Sequence, residues 1–470
     1  MKPVVLLGID GLDFEFVHAH LEELPSFAAC ATDGALATLP SIFPPDSIPA
    51  WITVFTGLEP AEHGIVESID YLAKRPTYAV RGAPDLLRGR TFWDQASELG
   101  YRVCVINPFM AYPAWPVNGA MVSGPVFGFD GGVTIESSIG SVKNVPALGG
   151  SVAFPTRRTL NGFLTESIRD TQDLARFSRD LFAQVEPDLM FVNVLTVDRV
   201  QHFFWRFYDE HDPTYPGRSQ HSDAVLAIYK AADEFVETIR QTAGADARIL
   251  IMSDHGHGMR PPRMFYLDEW LRRNGYVHPG GLGARVRTAL LDGGKRLAFG
   301  AAYTLGAEET LERAAKRVPG KKALKTSSYS VGPQSVVAAS RKFGRNSASG
   351  IVVRNGSTRA TASLITELSN QLVAVTDPLG GPPIVEWVRP REEVIRGPHE
   401  DVFPELLLQL RPDIGVDFGL YGPLFARDVR HRRLSGGHRP NGVFAATRPV
   451  PRIPERLAEV GAATLAALQQ

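Results

Sequence analysis

Val4-Val-Leu-Leu-Gly-Ile-Asp-Gly11 is an unbroken apolar run that ends in an acid and a glycine. A run this short, built from Val, Leu and Ile without polar alternation, fits a strand covered on both faces. The same pattern recurs in Val103–Ile106, Leu189–Leu195, Ile249–Met252 and Leu406–Leu410. Between these runs lie segments whose apolar residues recur at helical spacing: Thr91–Leu99, Thr159–Gln184, Ser219–Thr242 and Arg456–Gln469. Strand alternating with helix predicts an α/β fold, a mostly parallel central sheet with helices on both faces.

The alternation lapses after Gly258 and resumes near Pro404. The stretch between holds a predicted helix at Tyr303–Arg317, a basic run at Lys316–Lys325 and several short β-like pieces. The expected organisation is one catalytic domain, residues 1–258 and 391–470, with residues 259–390 inserted as a cap that sets substrate specificity. Val117–Phe154, rich in Gly, Ser and Val, reads as a long loop near a site. At 470 residues the chain is longer than one ordinary core requires, which agrees with more than one structural unit.

Composition narrows the function. With 50 basic and 51 acidic side chains the formal charge is -1, so nothing draws the chain to a nucleic-acid polymer. An anionic substrate then needs local positive charge, which a bound metal ion supplies. The two cysteines, Cys30 and Cys104, build no disulfide framework and read as small buried apolar residues. No apolar stretch reaches the roughly eighteen residues a bilayer span needs. The run at Val4–Ile9 is too short for a secretory signal core and leads into acidic residues. A cytoplasmic protein with no membrane partner is expected.

Ligands of open α/β sheets bind beyond the carboxyl ends of the strands. Metal-competent residues recur at those ends. Asp10 closes the first run; Asp198 follows the run at Leu189, with His202 four residues on, one helical turn away on the same face. Asp254 and His255 follow Ile249–Met252, and His438 lies in Gly436-Gly-His-Arg-Pro-Asn-Gly442. Taken singly, each has a plainer role as a turn former, helix cap or solvated pair. Four such elements at four strand ends make a common metal centre the better account. Mixed nitrogen and oxygen donors favour two divalent ions, zinc first and manganese second.

The candidate nucleophile is Ser47, in Pro44-Pro-Asp-Ser-Ile-Pro-Ala-Trp-Ile-Thr-Val-Phe-Thr-Gly57. Pro49 suits the first turn of a helix and Gly57 its end, which puts Ser47 at or just before the N-terminus. Backbone N–H groups there favour a phosphoryl group, although a plain N-cap serine fits equally well. Beside the ligands, His257 is placed to contact substrate, and His63 to hold the turn after the serine helix.

These motifs resemble the alkaline-phosphatase superfamily, in its type I phosphodiesterase/nucleotide pyrophosphatase family and the predicted phosphohydrolase or phosphomutase branch. The resemblance lies in Gly8-Ile-Asp-Gly11, Ser47–Gly57 with Pro60-Ala-Glu-His-Gly64, Asp198-Arg-Val-Gln-His202, Ser253-Asp-His-Gly256 and Gly437-His-Arg-Pro-Asn-Gly442. It implies one ion on Asp198, His202 and His438, and another on Asp10, Asp254, His255 and the Ser47 oxygen. The implied reaction is hydrolysis of a phosphate mono- or diester on a small phosphorylated substrate, through a phosphoserine. A phosphomutase using the same centre is the alternative, and a non-catalytic metal-binding protein the more distant one. Two departures stand out. Nucleotide pyrophosphatases usually carry Thr where this chain has Ser47, and Trp51 occupies the position where the sulfatase motif needs Arg.

Overall fold

The computed structural model describes residues 2–66, 69–70, 75–76, 84–125, 131–149, 155–278, 282–305, 307, 310, 337–342, 347–353 and 358–470. They divide into two units. The first comprises residues 1–210, 215–258 and 436–470, and the second residues 211–214 and 259–435.

The first unit is built on an eight-stranded sheet. Its strands are β1 (Val4–Ile9), β2 (Ala35–Pro40), β3 (Val103–Ile106), β4 (Gly119–Ser123), β5 (Thr134–Ser137), β6 (Leu189–Val194), β7 (Arg248–Met252) and, after a short β8 (Gly256–Met259), a last strand at Asn441–Ala446. The spatial order is β2, Asn441–Ala446, β7, β1, β6, β3, β4, β5. The five central strands run parallel, and an antiparallel pairing closes each side. The opening apolar run thus lies in the middle, with Val4 level with Leu189 and with Arg248. Every residue of β1 is buried, as a strand covered on both faces must be.

Alternation sorts the side chains. A short helix α1 (Phe14–Ala19) follows β1; Leu6, Phe191 and Val105 join a core with Trp51 and Phe55 of α2 (Ser47–Thr56) and Phe92 and Trp93 of α3 (Phe92–Glu98). The remaining long helices are α4 (Leu160–Val185), α5 (Thr196–Tyr208) and α6 (Ala224–Ala243). Thr91 caps α3 as one half of a capping box, with Asp94 as the other. Both cysteines are free and buried.

The second unit has its own core around Phe265, Trp270, Leu271, Leu406 and Leu408. A three-stranded sheet joins β9 (Arg263–Tyr266) to Ile414–Asp417 and Phe425–Arg427. A four-stranded sheet joins Val337–Lys342, Ala348–Val353, Leu406–Leu410 and Val385–Pro390.

Four expectations change here. Leu406–Leu410 is buried as predicted but pairs with Ala348–Val353 and Val385–Pro390 in the second unit, so apolarity identified a strand without identifying its sheet. The chain accordingly returns to the first unit at Gly436, and residues 391–435 fall outside the catalytic part assigned to residues 391–470. Val117–Phe154 contains β4 and β5 of the main sheet; Gly and Ser hid their alternation. A helix, α7, occupies Leu282–Leu305, ahead of the predicted Tyr303–Arg317. Its Gly283, Gly293, Gly294 and Gly300 lower helix propensity and masked the pattern. The basic run Lys316–Lys325 and most of Tyr303–Arg317 lie outside the described residues. Among the described residues no helix is long and apolar enough to cross a membrane.

Candidate active site

Three strand ends and one returning hairpin of the first unit converge at the carboxyl edge of the sheet. Asp10 follows β1, and its N–H donates to the Val194 carbonyl at 2.9 Å. Gly11 then turns with φ +74°, and a Cβ there would sit 2.8 Å from the Asp198 Cβ. Only glycine fits that turn and that approach. The Gly11 N–H donates to Asp254 Oδ1 at 3.2 Å, and the Asp198 N–H donates to the Asp10 carbonyl at 3.1 Å.

Asp198 is the third residue of α5, where the helix N-terminus favours a carboxylate. One turn on, His202 Nε2 lies 3.2 Å from Asp198 Oδ2. His438, from the strand Gly436–Arg439, places Nε2 3.6 Å from Asp198 Oδ1 and 3.2 Å from His202 Nε2. Asp10, Asp254 and His255 form a deeper group: His255 Nε2 is 3.6 Å from Asp10 Oδ1 and 3.4 Å from Asp254 Oδ2.

The imidazole orientations follow from their second nitrogens. Nδ1 of His202 faces the Gly436 carbonyl at 2.9 Å, that of His255 the Gly256 carbonyl at 3.0 Å, and that of His438 the Pro45 carbonyl at 3.1 Å. A carbonyl only accepts, so each Nδ1 carries the proton and donates, leaving each Nε2 with a lone pair turned inward. Two lone pairs 3.2 Å apart on His202 and His438 repel unless a cation lies between them. Two zinc ligands at tetrahedral angles are separated by about 3.3 Å, so the spacing suits that use. Asp254 Oδ2 is likewise buried without a hydrogen-bond donor.

Electrostatics point the same way. Burial, with Asp254 and Asp198 alongside, pushes the Asp10 carboxyl well above its ordinary range. Burial and Asp198 do the same to Asp254. Burial would also raise Asp198, but His202, His257 and His438 hold it well below. Burial and the neighbouring His255 drive His438 well below an ordinary histidine, so its imidazole stays neutral. Two buried carboxyls that resist ionisation without a nearby cation, beside Asp198 and the inward imidazole nitrogens, make a donor set that fits divalent cations. Among the described residues three groups could hold an ion: Asp10 with Asp254 and His255; Asp198 with His255 and His438; Asp198 with His202 and His257.

Ser47 is the first residue of α2. The cap is Asp46, whose side chain accepts from the Ile48 N–H at 3.1 Å. The serine is thereby released from the plainer capping role. Its Oγ lies 3.0 Å from His255 Nε2 and 3.4 Å from Asp10 Oδ1.

His257 is buried, with Nδ1 3.1 Å from Asp198 Oδ1, so it faces a candidate ligand carboxylate. Burial lowers its pKa to about 3. His63 accepts the Ile65 N–H and bonds Thr53 of α2, holding the turn as expected.

Several supporting residues escaped the sequence reading. Trp51 donates its indole N–H to Asp10 Oδ2 at 2.9 Å, and its ring covers Gly8, where a Cβ would come within 2.6 Å. Gln201 donates to the Gly11 carbonyl at 2.7 Å and accepts from Tyr229, whose hydroxyl also receives the Asp13 N–H. Asp13 caps α1 and accepts the His257 N–H at 3.2 Å. Helical spacing could have found two of them. Trp51 is one turn from Ser47, and Gln201 three residues from Asp198. Tyr229 comes from α6, distant in sequence, and carries no such signal.

A mostly parallel sheet with Asp, His and one serine gathered at its carboxyl edge is the architecture of an alkaline-phosphatase-like hydrolase. The chain belongs to the type I phosphodiesterase/nucleotide pyrophosphatase family, whose model matches residues 4–370, and with that family it is a phosphoric ester hydrolase. Among solved structures, phosphonoacetate hydrolase from Sinorhizobium meliloti 1021 is similar, in complexes with phosphonoformate and with phosphonoacetate. In each the TM-score is 0.55 and the identity 16%, over 99% of this chain and 95% of that one. Murine ectonucleotide pyrophosphatase/phosphodiesterase 5 gives a TM-score of 0.46 and 11% identity over 100% of this chain and 95% of that one. At these identities the likeness is one of fold. A search of curated proteins finds no match.

Proposed function

We propose that the protein hydrolyses a phosphate mono- or diester of a small molecule through a phosphoserine on Ser47, with two divalent ions, zinc first. Asp198, His202 and His438 would hold one ion; Asp10, Asp254, His255 and the Ser47 oxygen would hold the other. Bound there, the ions would supply positive charge to the transferring phosphoryl group and lower the pKa of the serine hydroxyl.

The observation that carries this reading is the place of Ser47 Oγ, at a helix N-terminus and 3.0 Å from the inward Nε2 of His255. An ion held on that Nε2 would lie within reach of the Ser47 oxygen as well, and the hydroxyl would release its proton to solvent on binding it. The Ser47 oxygen forms the new bond to phosphorus while the ester oxygen departs in line. Water then opens the phosphoserine and regenerates the hydroxyl. Trp51 keeps Asp10 turned towards the serine throughout. The balanced charge of the chain favours a small substrate over a nucleic-acid polymer.

Rapid acid quench during turnover of p-nitrophenyl phosphate or bis-p-nitrophenyl phosphate, with zinc or manganese present, should yield a phosphopeptide labelled at Ser47. Ser47→Ala should lower turnover on the order of 10⁴-fold or more. A Ser47→Ala protein that keeps most of its activity would overturn the covalent route.

A further inference from the structure

Nine large apolar side chains are well exposed among the described residues, and four lie on the single helix α7, Leu282–Leu305. Val286 is 52% exposed, Leu290 71%, Leu297 77% and Leu305 79%. The other five are scattered singly, as is normal for a soluble surface. At about 100° per residue, positions 286, 290 and 297 fall within roughly 40° of one another, one stripe along the helix. Ala302, about 140° round from that stripe, is buried. The helix therefore has an inner face in the second unit and an outer apolar face.

Charge separates this helix from the rest of the chain. It carries Arg285, Arg287, Lys295 and Arg296 against one acid, Asp292, within a protein whose formal charge is -1. An exposed apolar ridge on a helix of net basic sequence suits one lying in the plane of an anionic lipid surface, with acyl chains below the ridge.

We propose that α7 docks the protein on anionic phospholipid surfaces. A second copy of the chain is the poorer occupant. Two such helices would bring like charge together, and Gly293 with Gly294 would leave a gap along the ridge that a rigid partner cannot fill. Fluid acyl chains can fill it. The sequence expectation of no membrane partner rested on the absence of a spanning segment, which does not bear on a helix lying flat.

The test is co-sedimentation of the full chain with vesicles of phosphatidylcholine alone and of phosphatidylcholine with about one-third phosphatidylglycerol. Binding to the anionic vesicles should be on the order of a hundredfold tighter, and should weaken in high salt. Leu290→Ser with Leu297→Ser should reduce binding about tenfold or more, with p-nitrophenyl phosphate turnover kept as the control for folding. Should that variant misfold, amide hydrogen exchange on the unaltered protein decides the matter, since anionic vesicles should protect residues 282–305. Equal binding to both vesicle types, no binding, or vesicle-independent dimers weakened by the same substitutions would each overturn the proposal.

Discussion

The two halves of the candidate metal centre are built differently. In the deeper half the side chains of Asp10, Asp254 and His255 are 5%, 0% and 0% exposed; Asp10 directly follows β1, and the other two lie in the short link from β7 to β8. In the outer half Asp198, His202 and His438 are 13%, 22% and 16% exposed, and come from the first turns of a helix and from a hairpin strand. Burial and sheet rigidity fix the first group, whereas the second depends on two carbonyl contacts that orient its rings. The deeper half should hold its ion tightly and fail as a unit. The outer half should exchange its ion and adapt.

His255→Ala against His202→Ala is the largest contrast. The first should lower turnover by on the order of 10³-fold or more, because it removes a ligand of the ion that would bind the Ser47 oxygen. The second should lower activity that rises again with added zinc. Metal content by mass spectrometry, with activity against zinc concentration, checks this, and equal rescue of the two variants would break the comparison. A chelator should next remove metal in two phases, the faster from the outer half, followed by turnover and metal content over time. A single phase would show that exposure does not decide the order.

A smaller effect is expected from Trp51→Phe, which keeps the ring over Gly8 and deletes the hydrogen bond to Asp10. Loss of such a supporting contact typically costs about 10–100-fold in activity or metal affinity. His202 and its ion should be untouched. The smallest effect concerns Asp13, whose carboxyl is pushed up to about 6 by burial. Its folded pKa exceeds the unfolded value, so its stabilising contribution is complete at about pH 4 and lost as pH rises through about 6. Asp13→Asn should flatten that decline, which spans no more than about 3 kcal/mol. Urea titrations of the two proteins at several pH values would show it.

Much of this was legible in the chain. The run ending in Asp10 names a buried strand because apolarity on both faces is uncommon elsewhere, and the five central strands are parallel as the alternation predicts. The candidate ligands were readable because the end of a strand is also a break in its apolar pattern. What failed to show was pairing. Leu406–Leu410 is as apolar as β7 yet belongs to another sheet, since apolarity carries no information about partners. Helix α7 went unseen because its glycines erase the period. Tyr229 and Gln201 support Gly11 through contacts that exist only once α5 and α6 lie side by side.

The peptide joining Asp10 to Gly11 has a consequence for any redesign. Its carbonyl receives the Asp198 amide, and the glycine beside it leaves no gap for a side chain. The pitch between the two candidate cation seats is therefore set by a backbone-to-backbone contact. Substituting ligands one at a time would retune affinity and leave that pitch alone. Changing it would mean prising α5 away from the first strand, so a variant meant for a longer bridging group has to begin with the main chain.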